Sequence, residues 1–406
     1  MNLFHENVIQ TILTSEHPNN VSSIRILDWK IDGMTGKCII TYASVLSRLI
    51  IRYQLEIEKN APWMEKIFII KDPTKAPIYN YIKIMGWYDN EVMMYNEVLP
   101  KMFTFIEDEC FAPRLHYFND EMLLVLEDLS ETGYKCGSHA RKLDFEHCIH
   151  ALRSLAKFHA LSVKLESTLG LPELVKRNAL FNTTRVRDLA IAIAKRIPPF
   201  IDSIPQHIKH LYPNMITQFR NLSAENLIDI KNSSSCYKFN VLNHGDFSIN
   251  NIMYNYDAFG TVRHVKIIDF QLSHWSSPAN DLLFFTITSM KFEVYQKYFP
   301  VLLKIYLDTL RKILCQLGCP TPAYDVQSLL DDMDTLYPYA LYILSCVMPF
   351  IMIDPNDPHD AESVIKDGMI DFSNGKNVLS RKNYQETMIR WLEHFAKKDS
   401  CIFEKW

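Results

Sequence analysis

The chain has 406 residues, 48% hydrophobic and 22% charged, which suits a globular protein of two domains or one bilobed unit. Its formal net charge of −4, without any run of Lys or Arg, argues against a nucleic-acid partner. Glycine is scarce, with 11 residues in the whole chain, so any glycine-rich phosphate-binding loop must be short or degenerate.

The first third of the chain predicts a sheet with a helix inserted in it. Residues 38–57 and 66–72 are runs of β-branched residues with polar breaks, which indicate strands of a twisted antiparallel sheet. Residues 86–105 carry apolar residues at helical spacing. A short apolar strand with two carboxylates near its end follows at 121–129.

The periodicity changes after residue 130. A helix is predicted to begin after Asp144, a suitable N-cap, and His159 lies on its apolar stripe. A histidine in such a position is more often a hydrogen-bonded core residue than a ligand. Residues 176–231, and everything after about residue 280, have helical patterns. Strand patterns return at three short segments, 239–243, 251–256 and 262–268. A small α+β lobe therefore precedes a larger, mainly helical lobe.

Polar residues follow two of these late strands. Asp246 lies in "VLNHGDFSINN", and Asp269 ends the apolar run in "VKIIDFQ". A turn at "YDAFG" separates two strands that should pair as a hairpin. That pairing can bring Asp246, Asn251 and Asp269 to one edge, where two carboxylates and an amide oxygen would suit Mg²⁺. Taken alone, the ordinary turn chemistry of Asn and Asp explains the same residues.

The spacing within this cluster favours a more specific interpretation. The run is H-G-D-x-x-x-x-N, and Asp269 comes 18 residues after Asn251. Enzymes of the protein-kinase type use such an Asp to accept the proton of the substrate hydroxyl, while the Asn and the later Asp hold metal ions. The same chemistry requires a lysine on a strand of the small lobe and a glutamate on the following helix. Lys71 and Glu91 stand in that order.

The chain resembles the ecdysteroid-kinase-like family of insects, a branch of the choline-kinase and aminoglycoside-phosphotransferase group. The stretches that carry the resemblance are "TYAS" (41–44), "FIIK" (68–71), "EVMMYNEVLP" (91–100), "LVLEDL" (124–129), "LAKFHALS" (155–162), "NHGDFSINNIMY" (243–254) and "IIDFQLSHWSSPANDLLFF" (267–285). The resemblance implies an α+β, bilobed, protein-kinase-like fold. Residues 1–128 would form the nucleotide-binding lobe, and residues 129–406 the helical lobe with the catalytic loop and the substrate pocket.

The resemblance also implies roles for five residues of the predicted cleft. Asp246 would be the catalytic base, and Asn251 and Asp269 would bind Mg²⁺. Lys71 would contact the phosphates of ATP, with Glu91 holding it in place.

Further positions follow from the same resemblance. The backbone of Glu127, Asp128 and Leu129 would meet adenine between the lobes, and Asp281 would steady the catalytic loop. One departure lies in "GMTGKCII", where the glycine usual before the "YAS"-like strand is missing, so this loop is an atypical phosphate cover.

Together these features predict a kinase that uses ATP and Mg²⁺ to phosphorylate a small, apolar alcohol such as an ecdysteroid or a xenobiotic. A nucleotide-binding pseudokinase without turnover is a second hypothesis, because the loop is degenerate. The third is a metallohydrolase, which would leave Lys71 and Glu91 unexplained. Its cluster would comprise His244, Asp246, Asn250, Asn251, Asp269 and His274.

The nature of the acceptor is weakly encoded. The acidic stretch "DDMD" (331–334) would suit a cationic acceptor, but a solvated helix face explains it equally well. The aromatic residues after position 280 are expected to be mostly core, with some lining an apolar pocket. They include Phe284, Phe285, Phe292, Tyr295, Tyr298, Phe299 and Tyr306.

Cysteine usage and apolar segments predict a cytoplasmic protein. The nine cysteines include no CxxC pair, and the first 20 residues lack the pattern of a signal peptide. Residues 335–353 carry no charge, but Pro338 and Pro349 favour a buried helix pair over a membrane span. We expect a small-molecule alcohol as substrate, with no membrane and no obligate protein partner.

Overall fold

A computed structural model of the chain describes most of its length. The described residues are 4–20, 23–33, 40–41, 44–55, 62–76, 78–107, 110–137, 142–176, 186–232, 237–352, 365–366, 369–370 and 379–396. The atypical loop in "GMTGKCII" falls on residues 34–39, which lie outside these ranges.

The N-terminal part contains a six-stranded antiparallel sheet. In space the strands follow the order β1-β3-β4-β6-β5, and β2 pairs with β3. Their bounds are β1 (Ile24–Gly33), β2 (Ile40–Thr41), β3 (Ser44–Leu55), β4 (Trp63–Asp72), β5 (Leu115–Phe118) and β6 (Leu124–Glu127). The antiparallel sheet predicted from the β-branched runs is confirmed. β1 and β5 were not predicted, because the mixed polar pattern of these two outermost strands does not mark them.

The two faces of this sheet meet different surroundings. Helix α1 (Glu6–Glu16) packs on one face, where Leu49 and Phe68 are fully buried beside it. Side chains of a strand alternate between faces, so Ile69 and Lys71 project from the other face. That second face looks toward the rest of the chain.

The helix predicted at 86–105 is present in three pieces between β4 and β5. After α2 (Tyr79–Met85), Gly86 adopts a φ of 68° and ends the helix. The chain then continues through α3 (Trp87–Met93), a π-helical turn (Met94–Val98) and α4 (Leu99–Phe103). A π-turn inside a helix often marks a functional position.

The remainder is mainly helical. Asp144 caps α5 through its carboxylate, which accepts the N–H of His147 at 3.1 Å, as the sequence predicts. Helices α5 and α12 pack against each other. The helices are α5 (Phe145–Thr168), α6 (Glu173–Lys176), α7 (Val186–Ser203), α8 (Gln206–Leu211), α9 (Pro213–Arg220), α10 (Ala224–Asn232), α11 (Ala279–Thr288), α12 (Phe292–Gln316), α13 (Val326–Thr335), α14 (Tyr337–Tyr342), α15 (Met348–Ile351) and α16 (Lys382–Ala396).

Short strands interrupt this helical part. β9 pairs with β10 as the predicted hairpin, and β7 adds to the outside of β9. β8 pairs with β11, and β12 with β13. The prediction that everything after about residue 280 is helical is wrong at β12 and β13, since pairs of two residues are too short to leave a strand pattern in the sequence. Their bounds are β7 (Lys135–Cys136), β8 (Val241–Asn243), β9 (Ile252–Tyr256), β10 (Val262–Ile267), β11 (His274–Ser276), β12 (Ile365–Lys366) and β13 (Met369–Ile370).

The uncharged stretch near residues 335–353 is helical and largely buried. A π-helical turn (Ile343–Val347) joins α14 to α15, so helical structure continues through Pro349 rather than stopping before it. Pro338 lies in the first turn of α14, where its missing N–H costs nothing. No helix within the described ranges is long and apolar enough to cross a membrane.

Candidate functional site

The loop after β8 turns at a glycine that no other residue can replace without strain. Gly245 has a φ of 85°, which places it in the left-handed region. A Cβ added to Gly245 would lie 2.1 Å from the carbonyl oxygen of Leu272, which is backbone and cannot move aside easily. The glycine of the H-G-D run therefore lets the segment with Asp246 approach the segment after Asp269.

Replacing this glycine should destabilise the fold by more than backbone strain alone. Gly260 is a matched control, since its φ of 81° is similar but its added Cβ meets nothing within 4 Å. We expect Gly260→Ala to cost about 1 kcal/mol of unfolding free energy. Gly245→Ala should cost about 2 kcal/mol more, because of the clash. Urea unfolding of both variants tests this, and equal losses would contradict the close approach.

A buried carboxylate holds the same loop through its backbone N–H groups. Asp281, near the start of α11, accepts the N–H of His244 at 2.6 Å and the N–H of Gly245 at 2.9 Å. His159 contacts the Asp281 carboxylate through Nε2 at 3.2 Å, and its Nδ1 lies 2.7 Å from the Tyr306 hydroxyl. Burial works against ionisation of Asp281, but hydrogen bonds from His159 and the loop keep its pKa below the ordinary value. His159 is thus a hydrogen-bonded core residue, as predicted.

Asn251 lies directly against Asp246. Its side-chain nitrogen donates to the main-chain oxygen of Asp246 and to its Oδ2, each at 2.9 Å. This amide–carboxylate pair sits where the loop enters β9, and the N–H of Ile268 bonds the carbonyl of Asn251 at 3.0 Å. The loop before β9 therefore brings Asp246 and Asn251 together, and the β9–β10 hairpin places Asp269 in the adjoining segment.

The environment of Asp246 favours its protonated form. Burial raises the pKa of Asp246 to about 8, and the charge of Asp269 adds to the rise, while the bond from Asn251 opposes it. A carboxyl that exchanges a proton near neutral pH suits general acid–base chemistry.

The rate profile expected for a general base at Asp246 rises with pH up to about 8, because only the ionised carboxylate can accept a proton. A raised pKa also means that the ionised form is penalised in the folded state. Wild-type stability should therefore fall, relative to Asp246→Asn, as pH rises from 3.8 towards about 8. The wild-type rate measured as a function of pH tests the first expectation, and urea unfolding of the wild type and Asp246→Asn over the same pH range tests the second. A rate that does not change with pH, together with a stability difference that does not change with pH, would contradict both.

A buried ion pair connects the sheet to the later segment. Nζ of Lys71 lies 2.7 Å from both carboxylate oxygens of Glu91 on α3, and 2.9 Å from Oδ1 of Asp269. Lys71 and Glu91 are only 6% and 2% exposed. Burial lowers the pKa of Lys71, but the charges of Asp269 and Glu91 outweigh it and raise that pKa above the ordinary value. The three predicted residues meet at one point.

Two more residues of the same helical segment, to which the sequence patterns give no polar role, also contact the segment around Asp269. The side chain of Asn90 donates to the carbonyls of Gln271 at 2.9 Å and Ser273 at 3.1 Å. The hydroxyl of Tyr95, in the π-turn, accepts the N–H of Asp269 at 3.2 Å. Asp269 itself has a φ of 69°, which is uncommon for a residue other than glycine. Asn90 stands between two carboxylates in α3 (WYDNEVM), so no local pattern marks it as buried.

The segment predicted to meet adenine follows β6. Glu127 accepts the N–H of Arg114 at 3.3 Å, and its carboxylate lies 3.7 Å from Nζ of Lys266. Asp128 accepts from Arg48 at 2.9 Å and caps a 3-10 turn (Leu129–Thr132). Both carboxylates are thus engaged with protein groups. Backbone groups of the segment are engaged as well: the N–H of Glu127 bonds the carbonyl of Arg114 at 2.9 Å, and the carbonyl of Leu129 accepts the N–H of Tyr134 at 3.1 Å.

The oxygen atoms around Asp246 suit a hard divalent cation. The side-chain nitrogen of Asn251 bonds Asp246, so the side-chain oxygen of Asn251 is directed to another partner. Oδ1 of Asp269 accepts a hydrogen bond from Lys71. Among the described residues, no group of three or more His, Cys, Asp or Glu side chains could hold a metal ion by itself. Mg²⁺ usually binds through one or two carboxylates together with substrate phosphates and water. The residues therefore fit Mg²⁺ carried by a nucleotide.

The antiparallel sheet with a buried lysine–glutamate pair, set against a mainly helical part with the D-x-x-x-x-N loop, defines a phosphotransferase of the protein-kinase-like class. The family follows from the sequence. The profile of the ecdysteroid kinase-like family matches residues 40–319, and the chain belongs to this family. The resemblance stated above is confirmed. Membership indicates an enzyme that phosphorylates hydroxyl groups of small molecules.

Solved structures with a related arrangement are distant. The GDP and kanamycin complex of APH(2″)-IIia is 12% identical, covers 96% of this chain and 99% of its own, and has a TM-score of 0.39. A choline/ethanolamine kinase family protein from Mesorhizobium loti is 11% identical, covers 84% and 88%, and has a TM-score of 0.36. Scores this low carry no weight for the details of the site. A search of curated protein sequences finds no match.

Proposed function

We propose that the protein is an ATP-dependent kinase that transfers the γ-phosphoryl group to a hydroxyl of a small, apolar alcohol. The observation that carries the proposal is the contact of Lys71 with both Glu91 and Asp269. These residues lie on a strand, a helix and a loop that are far apart in sequence. A lysine that was only a solvated surface charge would not be buried between two carboxylates.

Each residue of the cleft has a role in this proposal. Asp246 orients the acceptor hydroxyl and takes its proton, while Lys71 neutralises phosphate charge. Asn251 and Asp269 would hold Mg²⁺, which when bound shields the negative charge of the phosphates. Asp281 keeps the loop of Asp246 in position.

The division of labour between the two parts of the chain belongs to the same proposal. Residues 1–128 bind the nucleotide, with the backbone of Glu127, Asp128 and Leu129 at its base. Residues 129–406 supply the catalytic loop and the acceptor pocket. We also propose a cytoplasmic location, on the basis of the isolated cysteines, and no obligate protein partner.

The acceptor class rests on the family more than on a visible pocket. Of the seven aromatic residues between positions 284 and 306, five are core residues and cannot line an open pocket; they are Phe284, Phe285, Tyr295, Phe299 and Tyr306. In the acidic stretch 331–334, Asp332 accepts hydrogen bonds from Ser277 and Tyr324, so part of that charge serves the fold. These contacts weaken the case for a cationic acceptor, and we propose ecdysteroids and plant-derived alcohols as the first candidates.

The hydrolase hypothesis finds little support in the same geometry. Both ring nitrogens of His244 face backbone atoms, Nε2 at 2.9 Å from the carbonyl of Ile268 and Nδ1 at 3.3 Å from the N–H of Asp246. The imidazole of His274 lies with Nδ1 3.0 Å from the carbonyl of Leu272. Neither ring is presented to a shared metal. The pseudokinase hypothesis depends on a loop outside the described residues, so turnover must decide it.

Direct nucleotide binding followed by phosphate transfer tests the proposal. We expect ATP binding that strengthens with Mg²⁺, and transfer of labelled phosphate to at least one ecdysteroid or plant alcohol. Asp269→Ala should remove the Mg²⁺ dependence of ATP binding, whereas Asp308→Ala, on the exposed face of α12, should not. Binding without transfer to any alcohol would favour the pseudokinase, and an unchanged Mg²⁺ titration in Asp269→Ala would exclude the proposed metal site.

A further inference from the structure

Arg48 lies on the same face of the sheet as Lys71. β3 and β4 pair so that Leu46 is opposite Lys71 and Arg48 is opposite Ile69. Residues directly opposite in an antiparallel pair project from the same face. The alternate residues of both strands are buried against α1 on the other side. Arg48 is therefore a neighbour of the catalytic lysine on the cleft side of the sheet.

The guanidinium of Arg48 connects this sheet to the segment after β6. Its Nε lies 2.9 Å from Oδ2 of Asp128, and Nη2 donates to the hydroxyl of Ser130 at 2.9 Å. The carboxylate of Asp128 also accepts the N–H of Ser130 at 2.9 Å. The side chain of Arg48 thus joins β3 to the segment that we propose to meet the nucleotide base.

These contacts fix the plane of the guanidinium while leaving part of it accessible. Two of its nitrogens are hydrogen-bonded at the edge, yet 34% of the Arg48 side chain remains exposed, against 3% for Asp128. Leu46, Ile50 and Ile69 on the same face are only half-buried. A planar cation whose edges are bonded and whose neighbours are apolar is suited to stack on a flat aromatic ring.

We propose that Arg48 is a base-recognition residue, whose guanidinium stacks on the purine ring of the bound nucleotide. This inference rests on the proposed kinase function and deepens it. A residue of β3 would then contact the base, in addition to the backbone of the segment after β6. The contact requires the base and not the phosphates.

Comparing the affinities for adenosine and ATP distinguishes a base contact from a phosphate contact, because adenosine carries the base without the phosphates. Calorimetric titration of Arg48→Ala should show about 10-fold weaker binding of both adenosine and Mg²⁺-ATP. Arg48→Lys keeps the charge but lacks the planar group, so it should lose nearly as much. Losses confined to ATP would mean that Arg48 contacts phosphate, and would overturn the inference.

Arg52→Ala is the matched control. Arg52 lies on the same strand and the same face, and its Nε forms an ion pair with Glu65 at 2.8 Å, but it is four residues farther from the cleft. Its affinities for adenosine and ATP should match those of the wild type. Equal losses in the Arg48 and Arg52 variants would overturn the inference, as would unchanged binding in Arg48→Ala.

The wild-type titration distinguishes this inference from the proposed function. A wild-type protein that binds neither ligand would overturn the kinase proposal and the role of Arg48 together. A wild-type protein that binds both, with Arg48→Ala unaffected, would overturn only the role of Arg48. Thermal unfolding without nucleotide should place all variants within a few degrees of the wild type, which excludes general loss of structure.

Discussion

Asp246→Asn should lower kcat by about 10³-fold, within the range that general-base catalysis contributes. The substitution keeps the size of the side chain, and an amide oxygen can still accept the bond from Asn251. It removes only the ability to take a proton. Because Asn251 and Asp269 are unchanged, ATP affinity should stay within a few-fold of the wild type. Phosphate transfer and direct ATP binding measure the two quantities separately.

Asp89→Asn is a suitable control for this variant. Asp89 is an exposed carboxylate on α3, two residues before Glu91, so Asp89→Asn makes the same chemical substitution on the surface of that helix. It should leave kcat close to the wild-type value. If Asp246→Asn retained near wild-type kcat on an accepted alcohol, another group would have to be the base.

Lys71→Met should lower kcat/KM by at least about 10²-fold, which corresponds to about 2.7 kcal/mol of transition-state stabilisation. The loss has two sources in the structure. The charge that neutralises phosphate disappears, and the carboxylates of Glu91 and Asp269 lose the ammonium that they share. Steady-state kinetics with ATP and the best alcohol would measure the loss.

Neighbouring lysines provide controls on the same strand and turn. Lys75 pairs with Asp72 and is 63% exposed, so Lys75→Met should be nearly silent. Lys66 pairs with Glu16 on α1, and its loss should affect stability slightly but not turnover. Similar small effects from all three lysines would remove the small lobe from the proposed mechanism.

Glu91→Ala should reduce activity in the same direction as Lys71→Met. The two side chains act as one buried unit, so the double variant should be little worse than Lys71→Met alone. Fully additive losses would show that Glu91 acts independently of Lys71.

Local patterns predicted the parts of the structure that depend on short stretches of chain. The Asp144 cap, the β9–β10 hairpin and the order of Lys71 and Glu91 all follow from spacing within a few residues or from an ordered motif. Which side chains contact each other across long stretches of sequence did not follow. The Arg48–Asp128 contact spans 80 residues and the Asn90–Gln271 contact 181, and no local periodicity encodes such distances.

The backbone conformation of the site residues is a second feature that the sequence predicts only in part. The left-handed φ of Asp269 depends on tertiary contacts, among them Tyr95 and Lys71. The residues next to Asp269 in sequence do not predict this left-handed conformation. By contrast, Gly245 marks its own unusual conformation, because glycine is the residue that adopts it most readily.

Helix α1 shows that a family resemblance and a folding unit need not begin at the same residue. The family match starts at residue 40, whereas α1 lies at Glu6–Glu16 and buries Ile9, Ile12 and Leu13 against the sheet. A fragment cut at the start of the match would leave the apolar underside of the nucleotide lobe in water, which favours aggregation. Helix α1, although it lies outside the match, is therefore part of the unit that keeps the nucleotide-binding face of this sheet in place.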